Sequence, residues 1–153
     1  MATVLQVRER LGPLLSRETV YGILFDVIRS FEAYLVDLNL IQLEKGEDIF
    51  GKVVGTYSKA TELESLFGSG PRPRREKREG QPYNFEWTGG LFDGFTLEIT
   101  GTTATFTSRD SKTPLLQEKY GEIFGLQDEN LQEAIREKIG PAFIKNIRKV
   151  IKV

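Results

Sequence analysis

Five bases packed into seven positions, Arg72, Arg74, Arg75, Lys77 and Arg78, are the residues whose types and spacing most suggest chemistry. At this density guanidinium and ammonium groups can neutralise a phosphate backbone and release its counterions, so a polyanion is one ligand class. They can equally dock on an acidic protein surface, or stay solvated. Single-strand binders interleave stacking aromatics with their bases, and none interrupts this run, which favours a protein partner or a solvated loop over nucleic acid. A second segment, Trp87-Thr-Gly-Gly-Leu-Phe-Asp-Gly94, holds the only tryptophan and three glycines. Their spacing is not that of a dinucleotide loop, so Trp87, Leu91 and Phe92 read as anchors of a turn that enters a sheet. The adjacent carboxylates Glu47-Asp48 and Asp128-Glu129 do not share a helix face. Acids at a helix start serve its dipole before they serve a metal.

The sequence contains no histidine and no cysteine. That removes the usual general base near neutral pH, the commonest metal ligand, the thiol nucleophile and every disulfide. An enzyme would be left with carboxylates, a lysine or tyrosine base, or a carboxylate-held magnesium. With no paired-carboxylate arrangement in view, the expectation is a non-enzyme with no catalytic residue, no cofactor and no metal.

The elements that must position these residues follow from periodicity. Ser16 can cap a helix in which Val20, Ile23, Leu24, Val27, Ile28, Phe31, Tyr34, Leu35, Leu38 and Ile41 recur at spacings of three and four, over about 18–44. Lys45-Gly46 ends it. Residues 3–15 could form a short helix through Val4, Leu5, Val7 and Leu11, broken at Gly12-Pro13. Between Glu47 and Gly70 glycines suggest turns, with one helical turn near Thr61–Phe67. Residues 69–80 have almost no apolar side chain and read as a long exposed basic loop, too polar to order by burial. Alternation of Phe95, Leu97 and Ile99, then of Thr102, Ala104 and Phe106, predicts a β-hairpin over 94–108 turning at Thr100-Gly101. Arg109–Thr113 and Pro114 close that sheet. A last helix spans about 128–150, acidic early and basic late, with a kink expected at Gly140-Pro141. The fold class is therefore α+β in a single domain, 1–153, with the N-terminal and C-terminal helices packed on a small antiparallel sheet.

Length supports one core, at 153 residues. No apolar run approaches the roughly 20 residues of a membrane span. The first ten residues lack the basic start, apolar core and small-residue cleavage site of a secretory signal, so a soluble, cytoplasmically made chain with no membrane partner is expected. Net charge is −1 from 21 basic and 22 acidic residues. No global field draws the chain to nucleic acid. Charge is nevertheless segregated: residues 69–80 carry five bases against two acids, and residues 126–153 carry six against four.

Three stretches in order resemble a known family. Residues 43–61 contain Gly55, then Tyr57-Ser58, then Thr61 after a helix end. Residues 86–99 contain Trp87-Thr-Gly-Gly-Leu-Phe-Asp-Gly-Phe95 leading into a strand. Residues 119–131 contain Phe124-Gly-Leu126, acids, and the start of the last helix. Together, over about 20–150, they are similar to the virion-morphogenesis or tail-completion (head-tail joining) proteins of tailed bacteriophages. The resemblance implies a structural, non-enzymatic neck or tail-completion subunit that acts as a homo-oligomeric ring with other virion proteins. Its place would be the virion, after assembly in the host cytoplasm. On this reading Arg72, Arg74, Arg75, Lys77, Arg78 and Trp87 form the assembly interface, and the 69–80 loop is mobile until copies dock. The alternative is a nucleic-acid or polyanion-binding module using the basic loop and the C-terminal helix. A small carboxylate or magnesium enzyme such as a phosphodiesterase stands third.

Overall fold

The computed structural model describes residue 12 and residues 16–151. The short helix expected over 3–15 lies outside the described residues. The chain is α+β, and its described residues form helices and one two-stranded antiparallel sheet.

The helix expected over 18–44 forms as two, α1 (Arg17–Ser30) and α2 (Glu32–Glu44). Ser16 Oγ accepts from the Thr19 N–H, as its position before the apolar stripe predicts. The break falls at Phe31, whose φ of −109° and ψ of 15° leave the helical basin. Ser30 Oγ donates to the Val27 carbonyl at 2.6 Å. Such a back-bond competes with the helical ladder and bends helices. The bend lets α1 and α2 face different partners, and their stripe diverges from the expected one. Ile41 is exposed, while the polar Asn39 and Gln42 are buried.

Those two amides hold the irregular segment before the C-terminal helix. Asn39 Nδ2 donates to the Ile123 carbonyl at 3.2 Å, and its Oδ1 accepts from the Gly125 N–H at 2.8 Å. Gln42 Nε2 donates to the Gly125 carbonyl at 2.9 Å. Its Oε1 accepts from the Gln127 N–H at 3.0 Å and from Asn130 Nδ2 at 2.9 Å. Backbone that would be orphaned in the core is thereby paired.

The hairpin pairs β1 (Phe95–Thr100) with β2 (Thr103–Ser108), with Leu97 opposite Phe106 and Ile99 opposite Ala104. The turn is Gly101-Thr102, one residue later than expected. Helix α3 (Lys59–Phe67) extends the predicted turn, capped by Ser58 Oγ. A four-residue helix, α4 (Gly90–Asp93), forms the turn into β1. Pro114, expected to close the sheet, instead sits in the first turn of α5 (Thr113–Tyr120), where its missing N–H costs nothing.

The C-terminal helix runs as α6 (Asp128–Ala134), a π-helical turn Ile135–Ile139, and α7 (Gly140–Ile151). Sequence places the disturbance at Gly140-Pro141, whereas it lies one turn earlier. Pro141 can give no N–H to the preceding turn and its ring crowds it, so the helix widens ahead of the proline. The Gly140 N–H donates to the Ile135 carbonyl, five residues back. A Cβ on Gly140 would stand 2.7 Å from that oxygen.

Two adjoining apolar clusters make the core. Val27, Leu35, Leu97, Ala134 and Ile139 form one, joining both long helical arms to the sheet; Leu43, Phe95 and Ile123 form the other. Helix α2 packs on β1, but α1 packs chiefly on α7 rather than on the strands.

Asn39→Leu leaves the Gly125 N–H and the Ile123 carbonyl buried without partners, and a loss of about 2–4 kcal/mol in urea unfolding is expected. Gly140→Ala would gain about 1 kcal/mol in an ordinary helix. Here contact with the Ile135 carbonyl should reverse the sign, and a raised melting temperature would refute the close approach.

Candidate functional site

Residues 69–80 form neither helix nor strand, but they do not hang free of the fold. The Arg74 N–H donates to the Trp87 carbonyl at 2.7 Å, and Trp87 Nε1 donates to the Pro71 carbonyl at 2.8 Å. Residues 71–74 therefore lie along the turn that carries Trp87. The Arg74 guanidinium rests on Gly89, at φ +93°, where a side chain would collide with it. This close approach, not a phosphate cradle, accounts for the first glycine of that turn.

The charges are largely spent inside the molecule. Arg74 pairs with Asp93 and lies 3.7 Å from Glu86 Oε1. Arg75 reaches Glu44 and Glu86 Oε2, each at 3.4 Å, and Arg78 reaches Glu76 at 3.7 Å. Arg72 is exposed and enters no ion pair among the described residues. Lys77 departs most from expectation: predicted in an exposed loop, it is 1% exposed. Its Nζ donates to Asn84 Oδ1 and to the Glu86 carbonyl, both at 2.6 Å, and lies 5.5 Å from the Tyr57 ring centroid. Its backbone is tied as well, because the N–H donates to Ser65 Oγ.

Burial is the main cause that lowers the Lys77 pKa; the Glu86 carboxylate opposes it and the Arg75 guanidinium adds to it. The unfolded chain binds more protons between this lowered value and the ordinary lysine value. Stability therefore rises with pH through that window, and the penalty of burying the ammonium is felt in full below it. Glu86 completes the cluster. Its Oε2 is buried and makes no hydrogen bond, so the 3.4 Å approach of Arg75 Nε is an ion contact without bond alignment.

Beside this cluster an aromatic-walled cleft of about 290 Å³ opens between Trp87, Tyr57, Tyr83 and Tyr120, with Lys112 and Lys119 in its lining. Tyr83 meets Tyr57 and Tyr120 edge to face at 5.0 and 5.4 Å between centroids. Phe85 stands against Tyr120 at 5.2 Å and takes a positive φ of 52°, uncommon for a side chain of its size. Tyr120 belongs to α5, which the sequence pattern did not disclose; the recurrence of Tyr57, Tyr83, Phe85 and Tyr120 beside glycines and Pro82 was the available signal.

The carboxylates weighed as metal ligands have structural work instead. Asp48 Oδ1 accepts from the Phe50 and Lys52 N–H groups at 2.9 Å, and Glu47 accepts from Gln127 Nε2 at 2.8 Å. Asp128 and Glu129 sit in the first turn of α6. No group of three acidic residues among the described residues is arranged to hold a metal ion. No family model, curated protein or solved structure matches this chain.

Lys77→Ala removes two charge-assisted hydrogen bonds and leaves the buried Glu86 carbonyl without its partner, while Asn84 Oδ1 keeps the Tyr57 hydroxyl and the Glu86 N–H, so a loss of about 2–4 kcal/mol is expected. Arg72→Ala should stay within about 0.5 kcal/mol of the parent. Equal urea midpoints for the two variants would show that Lys77 does not hold the segment.

Proposed function

We propose that the chain is a structural subunit of a tailed-phage virion, at the head-tail junction or tail end, that works by assembling into a homo-oligomeric ring. The reading takes its identity from the resemblance over residues 20–150. Its physical support is the exposure of large apolar side chains on separate elements: Phe67 at 80%, Phe50 at 77% and Leu115 at 61%. Phe50 is displayed rather than loose, since the Asp48 carboxylate fixes the turn that carries it. A ring requires two different complementary surfaces on one subunit, and apolar side chains on separate elements supply the raw material.

The basic segment has a smaller part than its sequence suggests. Arg74, Arg75 and Lys77 are engaged with Glu44, Glu86, Asp93 and Asn84, which leaves Arg72 and the outer side of Arg78 to steer an approaching partner. The same neutralisation argues against the polyanion-binding alternative, which needs those charges free. Trp87, tied to Pro71, serves the segment first and a partner second.

Burying a phenylalanine contributes about 1.5–3 kcal/mol, or roughly 10- to 150-fold in association. Phe50→Asp and Phe67→Asp should therefore weaken self-association by that much while leaving the urea midpoint unchanged. Sedimentation of the purified full chain and both variants tests this. A parent chain that stays monomeric at every concentration reached, and does not enter particles on mixing with virion components, would sink the reading.

A further inference from the structure

The aromatic cleft beside the 69–80 segment has cations on its lining that the fold leaves unused. Four charged residues line it, two acids and two lysines. The acids are engaged: Glu86 faces Arg74 and Arg75, and Asp110 Oδ1 accepts from the Lys112 N–H at 2.7 Å. The lysines are not. Lys112, at the N-terminal cap of α5, and Lys119, in its last turn, are exposed, and neither ammonium enters an ion pair among the described residues. Lys119 Nζ lies only over its neighbour's ring, 5.1 Å from the Tyr120 centroid. Seven residues make two helical turns, so both lysines stand on one face of α5, about 10 Å apart, with Leu116 between them. Trp87, Tyr83 and Tyr120 supply the apolar walls. Aromatic walls beside two unpaired cations favour a ring that has a carboxylate next to it.

Helix α3 presents that combination. Phe67, its last residue, is 80% exposed. Glu64, one turn earlier and on the same side, is exposed too, and its carboxylate makes no hydrogen bond and no ion pair among the described residues. Leu63, at 47% exposure, widens the apolar patch around Phe67. Phe50, the other displayed phenylalanine, lacks a free acid: the Asp48 carboxylate beside it is occupied by the Phe50 and Lys52 N–H groups.

We propose that the aromatic cleft receives Phe67 of a second copy of the chain, with Glu64 of that copy set against Lys112 and Lys119. A volume of about 290 Å³ admits a phenyl ring, and the tyrosines around it can meet that ring edge to face as they meet one another. Thr61, which also lines the cleft, belongs to α3 as well, six residues before Phe67. Six residues span about 9 Å along a helix and leave the two side chains about 120° apart around it. Donor and acceptor are therefore different surfaces of one subunit. A copy seated through its Phe67 keeps its own cleft free for the next copy, the heterologous contact from which a ring is closed. The contact presupposes the ring reading above and supplies the interface that reading needs.

Sedimentation of full-length chains with reversed charges tests it. Glu64→Lys, and Lys112→Glu together with Lys119→Glu, each set like charges across the contact and should weaken self-association about 5- to 30-fold, roughly twice the effect of losing an exposed pair. All three substitutions in one chain restore opposite signs and should return the parent's affinity. Lys112→Glu alone replaces the pair if Lys119→Glu lowers the urea midpoint by disturbing Tyr120. Trp87, the only tryptophan, reports on the cleft itself. Its emission should shift to the blue as the parent associates; Phe67→Ser should abolish that shift, whereas Phe50→Asp should keep it in the fraction that still associates. A parent that associates with unchanged Trp87 emission, or a triple variant no better than the partial ones, overturns the contact and leaves the ring reading standing. A parent that is monomeric at every concentration reached removes both.

Discussion

Two amide side chains on one turn of α2 pair the backbone groups of Ile123, Gly125 and Gln127 in an irregular segment that crosses the core. The run from Gly121 to Gln127 leaves α5, passes through the core at Ile123, and must enter α6 without a sheet to pair with. Asn39 and Gln42 supply five hydrogen bonds to it and to Asn130. Each buried amide or carbonyl left unmade would cost about 1–3 kcal/mol, a large share of the stability of a domain this size. Gln127 carries the link onward, through its side chain, to Glu47 and the Asp48 carbonyl. The same face of one helix thus fixes the turn that displays Phe50 and the start of the C-terminal helix.

A second buried polar group does comparable work in the 69–80 segment. Lys77 reaches inward from an otherwise solvated segment and makes a staple between it and residues 84–86. Breaking such a contact is costlier than forming it is favourable, because the ammonium or its acceptors would remain buried and unpaired. Arg74 and Arg75, just before it, then find Glu44, Glu86 and Asp93 within the same chain, and Arg78 finds Glu76. Charge that looks available for a partner when counted along the chain is compensated once the chain is folded.

The sheet itself is small. Two strands alone are marginal in water, and these depend on α2 and on Phe95, Leu97 and Phe106 for support. Support on one face does nothing for the edges: on the β1 side the Glu32 carboxylate accepts from Thr96 Oγ1 and the Leu97 N–H, whereas on the β2 side no group among the described residues hydrogen-bonds the outward backbone of Ala104 or Phe106.

By itself the sequence determined the elements whose signal is local and periodic. The stripe from Val20 to Leu38, the alternation Phe95-Leu97-Ile99, the Ser16 cap and the acid-to-base order of the last helix were all legible, because period and capping depend on near neighbours. The α+β class followed from them. Tertiary structure decided everything that turns on partners distant in the chain. Asn39 and Gln42 look like surface residues on α2 until a segment more than 80 positions away needs their hydrogen bonds. Lys77 looks solvated until Asn84, Glu86 and Tyr57 close around it. Pro114 looks like a terminator until Thr113 and the following residues pack as a helix, and Gly140-Pro141 shows its effect one turn upstream because a proline disturbs the turn that precedes it. Polar burial is invisible to composition and periodicity, since its sign is set by whether a partner is present at hydrogen-bond distance, and only the folded chain fixes that distance.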